Sequence, residues 1–143
     1  MINLLSGIDT TSAALNAERI RMDVVSQNIA NANTTRGLHG KPYERQQVVF
    51  EGVLRDQMNA TMPGASSHMV HVARVESAHR PPRMIHQPGH PDADAAGMVA
   101  VPDINIHEEM VDLMAASRAF EANLSVVKTA RAMAMQTLSI GKR

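Results

Sequence analysis

The residues whose types and spacing could support chemistry lie together in one short segment. His86, His90, Asp92 and Asp94 supply imidazoles and carboxylates, which are ligands that zinc and non-haem iron take in proteins. Such a cluster would indicate a metal-dependent enzyme. However, histidines four residues apart share a face only on a helix, and the Pro-Gly pair at 88–89 with a further proline at 91 excludes a helix there. The segment therefore predicts a structural loop that binds no metal, and the metal-dependent enzyme is kept as the alternative. In this loop we expect Asp92 and Asp94 to cap backbone N–H groups of the turn toward Gly97.

Other signals of catalysis are missing from the sequence. It contains no nucleophile elbow, no phosphate-binding P-loop and no dinucleotide-binding glycine motif. Glu108 and Glu109 could resemble an acid–base pair, but neighbouring residues on a helix do not face each other. We therefore expect a protein that is not an enzyme and that uses no cofactor.

Composition removes several further classes of function. The 143 residues carry 14 basic and 14 acidic side chains, so the net charge is zero and a nucleic-acid partner is not expected. The absence of cysteine excludes disulfides and thiolate chemistry. No apolar run approaches the roughly 20 residues of a membrane span. Because the first basic residue is Arg19, no cleaved signal peptide is expected either.

Glycine and proline divide the chain into three segments. All seven prolines lie between Pro42 and Pro102, and neither residue type occurs in residues 8–36 or 103–140. Because both residues are costly inside a helix, these two clean runs predict long terminal helices. The sequence thus predicts a mainly α fold with a small β-containing middle, divided into an N-terminal helix in 1–36, a middle segment in 37–102 and a C-terminal helix in 103–143.

The spacing of apolar residues supports this division. Alternating steps of four and three from Ile106 reach apolar residues at every position to Leu138 except Ser117 and Arg131, which is the spacing of a coiled-coil seam. A less regular stripe follows the same spacing in the N-terminal run. We expect the two helices to pair and to serve as assembly surfaces. The residues predicted at these surfaces are Leu15, Met22, Val25 and Ile29 in the first helix, and Met110, Leu113, Phe120, Leu124, Val127 and Leu138 in the last.

Local signals predict element boundaries. Asn105, followed three residues later by Glu108, predicts an N-cap, and Gly141 predicts the C-terminal stop. Ser6 predicts the start of the first helix. In the middle segment, short strands are expected at 46–50 and 68–76, the second with a slip in its alternation between Val72 and Val75. Residues 81–91 predict an extended, proline-kinked stretch.

Four segments resemble a known family. VVSQNIANANTT at 24–35 resembles the N-terminal signature of the flagellar rod and hook proteins. PYERQQVVFE at 42–51, PGHPDAD at 88–94 with Gly97 after it, and EMVDLMAASRAFEANLSVVKTA at 109–130 resemble segments of the proximal rod members of that family. The resemblance runs in order along almost the whole chain, although Met98 stands where the family usually has tyrosine. The residues that carry the signature are Asn28, Asn31, Asn33, Pro88, Gly89, His90, Pro91, Asp92, Asp94 and Gly97.

This resemblance implies a structural subunit of the proximal rod of the bacterial flagellum. It implies that the terminal helices pack between subunits as a coiled coil around the export channel, while the middle segment contacts neighbours and the assembly transmits torque. It implies partners among further proximal rod subunits, the distal rod protein and the adaptor between the export apparatus and the MS ring. It also implies export by the flagellar type III apparatus, work in the periplasm, and termini that are partly disordered before assembly.

Two other structural alternatives remain beside the metal-dependent enzyme. One is a sister component of the rod and hook, against which the PGHPDAD block argues. The other is a free-standing homo-oligomeric coiled coil, which would form a small defined oligomer in solution.

Overall fold

Two long helices flank a middle segment of short strands in the chain. The structure is a computed structural model that describes residues 4–37, 40–55 and 67–141. In these residues the order is α1 (Leu4–Ala30), β1 (Gln46–Arg55), β2 (Ser67–Ser77), β3 (Arg83–His86), β4 (Met98–Val101) and α2 (Ile106–Ile140). The prediction of a mainly α fold with a small β-containing middle is confirmed.

The helices have the lengths that the clean runs predict. With 27 and 35 residues, α1 and α2 extend roughly 40 and 52 Å at ~1.5 Å per residue. The predicted start of α1 is wrong, because the helix begins at Leu4 and Ser6 lies inside it. Gly7 is also helical, and its carbonyl accepts a hydrogen bond from the Thr11 hydroxyl at 2.7 Å.

The ends of α2 follow the sequence signals closely. Asn105 is the N-cap, and its side-chain oxygen accepts a hydrogen bond from the backbone N–H of His107 at 3.1 Å. Its amide group donates to the Glu108 carboxylate at 3.1 Å, so the two predicted partners meet through their side chains. Gly141 is the C-cap in a right-handed conformation, so the stop does not use the left-handed geometry open to glycine.

The first two strands form an antiparallel ribbon that packs against α1. Both strands are longer than predicted. The register runs from Gln46 opposite Ser77 and shifts between Val49 and Phe50, where Ala73 of β2 has no opposite residue. This extra residue is a β-bulge, and it is the physical cause of the slip in alternation that the sequence shows.

A second hairpin lies in the proline-rich region, where the sequence predicts only an extended stretch. β3 pairs antiparallel with β4, from Arg83 opposite Val101 to His86 opposite Met98. β3 is exposed throughout. A four-residue strand without an alternating apolar pattern gives little signal in the sequence, which explains why the hairpin was not predicted.

The helices pack as an antiparallel pair, since Asn28 contacts Glu109 whereas the earlier residue Arg21 contacts the later residue Asp112. The interior is small. Its fully covered apolar side chains belong to α1 and the turn after it, to β4, to the segment before α2 and to α2: Ala17, Val24, Val25, Ala32, Val99, Ile104 and Ala116. α2 has eight more residues than α1, so about 12 Å of helix has no matching partner length within the described residues.

Candidate assembly site

A buried polar cluster joins both helices to the first strand. The Asn28 side-chain amide is fully covered and makes four hydrogen bonds. It donates to the Gln46 carbonyl at 2.8 Å and to the Glu109 carboxylate at 2.9 Å, and it accepts from the Gln46 backbone N–H at 2.9 Å and the Tyr43 hydroxyl at 3.1 Å. A primary amide has two donors and two acceptor lone pairs, so this environment satisfies all of them.

The second acceptor oxygen of Glu109 completes the cluster. Glu109 is only 1% exposed, and Arg45 donates to it from Nε at 2.7 Å. A buried carboxylate is stable only when its charge is paired and its lone pairs are hydrogen-bonded, and Arg45 and Asn28 provide both. Burial, followed by the nearby negative charge of Glu109, raises the pKa of the Tyr43 phenol above its ordinary value. We call Asn28, Tyr43, Arg45 and Glu109 the polar junction.

A second polar contact ties the PGHPDAD loop to the segment after α1. The Asp92 carboxylate accepts a hydrogen bond from the Thr35 hydroxyl at 2.8 Å and forms an ion pair with Arg36 at 2.7 Å. The sequence predicts instead that Asp92 caps backbone N–H groups in its own turn. The structure therefore joins two signature segments that are 57 residues apart in the chain.

The remainder of the loop folds on itself. One Asp94 carboxylate oxygen accepts hydrogen bonds from the backbone N–H groups of Ala96 and Met98, at 2.9 and 2.8 Å, as expected for a capping aspartate. The His90 Nδ1 atom accepts from the Asp92 N–H at 3.1 Å. Gly97 has a φ of +72°, a left-handed conformation that glycine adopts without steric strain.

These contacts occupy the groups considered as metal ligands. The Asp92 and Asp94 carboxylates are engaged by the chain itself, and the segment forms no helix that would align His86 with His90. Among the residues that the structure describes, no three His, Cys, Asp or Glu side chains are grouped so that they could hold a metal ion.

The predicted surface residues of α1 lie beside the face that the chain buries. The buried face follows Ala17, Val24 and Asn28, and only Val25 of the predicted set is fully covered. The other three keep part of their surface exposed. An apolar strip along α1 is therefore left beside the intramolecular contact, formed by Leu15, Met22 and Ile29.

On α2, too, most of the predicted surface residues lie outside the face that the chain buries. The fully buried positions are Glu109 and Ala116, whereas Met110, Leu124 and Leu138 of the predicted set are 48, 37 and 67% exposed. The remaining predicted residues are partly covered: Leu113, Phe120 and Val127.

A further apolar surface lies on the side of α2 that faces away from α1. At 100° per residue, four residues fall within about 60° of one another and lie about 100–160° around the helix from Glu109: Val111, Val126, Met133 and Ile140. They are 52–71% exposed. Exposed apolar residues on two sides of one helix exceed what a single intramolecular partner can cover.

The polar junction was not predicted. From the sequence, Asn28 was expected only to be a signature residue of the family, and Glu109 only to be one of two adjacent acidic residues that do not face each other. One signal was available: Asn28 lies between Val25 and Ile29 in an otherwise apolar helix stripe, where an uncharged polar residue needs partners.

Two family models match the ends of the chain. The model described as "Flagella basal body rod protein" matches residues 8–36, which cover most of α1 and the segment after it. The model described as "Flagellar basal body rod FlgEFG protein C-terminal" matches residues 95–140, from the end of the loop to the end of α2. Both models thus include residues of the polar junction. In the part of the chain that the structure describes, neither helix has the continuous apolar stretch of a membrane span.

Relatives match over nearly the full length of the chain. The flagellar basal-body rod protein FlgC of Escherichia coli O157:H7 is 40% identical over 139 residues, covering 97% of this chain and 98% of the relative. FlgC of Yersinia enterocolitica is 36% identical over 99% of this chain and 100% of the relative. FlgC of Bacillus subtilis is 35% identical over 94% and 96%.

Proposed function

Since the chain belongs to the FlgC family of flagellar basal-body rod proteins, we propose that it polymerises into the rod through the exposed apolar faces of α1 and α2. It is a structural component of the rod, and it associates with other rod components and with copies of itself. In this proposal the helices supply the packing surface, and the middle segment projects from it to contact neighbours. The functional division is that of residues 1–36, 37–102 and 103–143.

The observation that carries the proposal is the exposure of large apolar side chains along α2. Leu138 and Ile140 are 67 and 71% exposed at the end that extends beyond α1, and Met133 is 52% exposed on the far side. Burying such side chains in a subunit contact gains about 25 cal/mol per Å² of apolar surface. Contacts repeated along a long helix would make a stiff assembly, because close-packed interfaces resist deformation. Stiffness is what a shaft that transmits torque requires.

Family membership supports a finer proposal about partners and location. We propose that the protein works in the periplasmic part of the basal body, after export by the flagellar type III apparatus. Its proposed neighbours are further proximal rod subunits, the distal rod protein and the adaptor between the export apparatus and the MS ring. We propose no catalytic activity and no cofactor, because the loop carboxylates most suited to chemistry hold Thr35, Arg36 and backbone N–H groups.

The proposal is tested at Leu138, which contributes little to the isolated chain because two thirds of its surface is exposed. Leu138→Asp should leave the thermal unfolding of the purified chain unchanged and should abolish swimming of cells in which it replaces the native subunit. The reason is that the rod would have to bury an unpaired carboxylate, which costs several kcal/mol. Leu124→Asp should also abolish swimming, but it is the less specific variant because the chain itself covers most of Leu124.

Ser139→Asp is the matched control. Ser139 is exposed and adjacent to Leu138, and it lies about 100° away around the helix, at the same angle as the exposed charged residue Glu121, so the substitution adds the same charge on a polar strip between the two apolar faces. Cells carrying this variant should swim. Normal swimming of the Leu138→Asp cells, with the variant present in their basal bodies, would refute the assembly role of this face.

A further inference from the structure

Methionine forms a large part of the exposed apolar surface of α2. The chain has eleven methionines, and all four in α2 are exposed to about half of their surface or more. Met133 and Met135 are 52 and 62% exposed, and both lie within a few residues of Leu138. Met133 belongs to the apolar surface on the far side of α2, whereas Met135 lies about 60° around the helix from Leu138, so the two side chains lie on the two apolar faces that assembly would bury.

A thioether on an exposed helix face reacts with peroxides. The sulfur attacks one peroxide oxygen, the O–O bond breaks, and an S=O bond forms. The sulfur is oxidised by two electrons and the peroxide is reduced. With hydrogen peroxide, the second oxygen leaves as water together with both hydrogen atoms of the peroxide. The product is a polar sulfoxide in place of an apolar side chain.

We propose that Met133 and Met135 are oxidation sites at which sulfoxide formation by hydrogen peroxide prevents α2 from packing into the rod. This inference rests on the proposed function, because it takes the distal end of α2 as an assembly surface. A sulfoxide buried there without a hydrogen-bond donor leaves a strong acceptor unsatisfied, which opposes burial. The reaction acts on the chain before assembly, when both methionines are more than half exposed.

The chemical half of the proposal is tested on the purified full chain. Hydrogen peroxide is added, samples are digested with trypsin, and each peptide is measured by mass spectrometry for added oxygen. Cleavage after Arg131 and Lys142 gives peptide 132–142, which contains both methionines. Peptide 22–36 contains Met22, which is partly covered in the chain and serves as the internal control. Peptide 132–142 should gain oxygen at least about fivefold faster, and equal rates would overturn the proposal.

The assembly half is tested with substitutions in cells that lack the native subunit. Met133→Leu with Met135→Leu keeps an apolar side chain of similar volume, so these cells should swim normally. Met133→Gln with Met135→Gln places a polar group where the sulfoxide oxygen would lie, and should reduce the swimming radius at least about fivefold. Equal swimming of the two double variants would overturn the proposal.

This outcome is separable from that of the proposed function. If Leu138→Asp cells fail to swim while the glutamine double variant swims normally, only the methionine inference is wrong. If Leu138→Asp cells swim, the distal end of α2 is not an assembly surface, and both ideas fail together.

Discussion

Removal of the Asn28 amide should be among the most damaging single changes in this chain. Asn28→Ala deletes four hydrogen bonds at once and leaves the Gln46 backbone N–H and carbonyl, together with one Glu109 oxygen, without that partner in a covered site. The substitution removes no large apolar group. The change in the free energy of unfolding therefore measures the contribution of the polar junction and not that of the apolar interior.

The size of the effect follows from the bonds. Each hydrogen bond between neutral groups contributes about 1 kcal/mol, and the bond to the Glu109 carboxylate about 2 kcal/mol, which gives a total near 5 kcal/mol. Partial relaxation and entry of water reduce the loss, so we expect the free energy of unfolding to fall by about 3–4 kcal/mol. Domains of this kind have a free energy of unfolding of about 5–15 kcal/mol in total, so the expected loss is a large fraction of the stability of the chain.

The assay is urea unfolding of the purified chain, followed by circular dichroism of the helices. With a slope of about 2 kcal/mol per M, the midpoint should fall by about 1.5–2 M. Asn33→Ala is the control, because Asn33 is an exposed signature residue near the end of the same helix, and its midpoint should change by less than about 0.3 M. Equal midpoints for the two variants would show that the junction does not stabilise the chain.

Three further predictions concern the helix end, the loop and pH. Before assembly, backbone amides in residues 24–30 should exchange hydrogen more slowly than those in 8–16, because the buried side chains of α1 lie from residue 17 onward. Equal protection along α1 in hydrogen-exchange mass spectrometry would contradict partial disorder of the N-terminus. In the same urea assay, Gly97→Ala should lower the free energy of unfolding by about 1–2 kcal/mol, because φ is +72° and the added Cβ would lie 3.0 Å from the Pro88 Cβ. The control Gly89→Ala, where an added Cβ meets open space, should change the free energy of unfolding by less than about 0.5 kcal/mol. Because the pKa of Tyr43 is raised in the folded chain, the unfolded chain loses the phenol proton first, and the free energy of unfolding should decline as pH rises past about 10. In a series of unfolding measurements at increasing pH, this decline should be smaller for Tyr43→Phe than for the unsubstituted chain.

Sequence patterns predict the helices well because their determinants are local. Asn105 caps α2, Gly141 ends it, and the lack of glycine and proline between them permits one uninterrupted helix. The bulge at Ala73 was also visible, as a slip between Val72 and Val75. Each of these features depends on residues within a few positions of one another, so spacing alone carries the information.

The polar junction could not be derived in the same way. Asn28 and Glu109 are 81 residues apart, and nothing in the spacing of either helix states which residues of the other it meets. An acidic residue in the first turn of a helix already has a local explanation in the helix dipole, which made burial of Glu109 unexpected. The rotation of each helix about its axis is set by this pairing, and it is why the predicted apolar stripes lie beside the buried faces.

In a free-standing globular protein the large apolar side chains are buried and the charged side chains are exposed, whereas much of this chain shows the opposite arrangement. Glu109, Val99 and Asn28 are the largest fully buried side chains among the described residues, whereas Leu138 and Ile140 are mostly exposed. Within the chain, small alanines allow the helices to approach, and the polar junction selects one alignment because any other would leave a buried charge unpaired. Large apolar residues contribute less inside the chain and are available for contacts between subunits. The junction therefore determines how the apolar faces are presented, and those faces provide the free energy of assembly, so variants of the junction should disturb the alignment of subunits while variants at Leu138 should remove the contact itself.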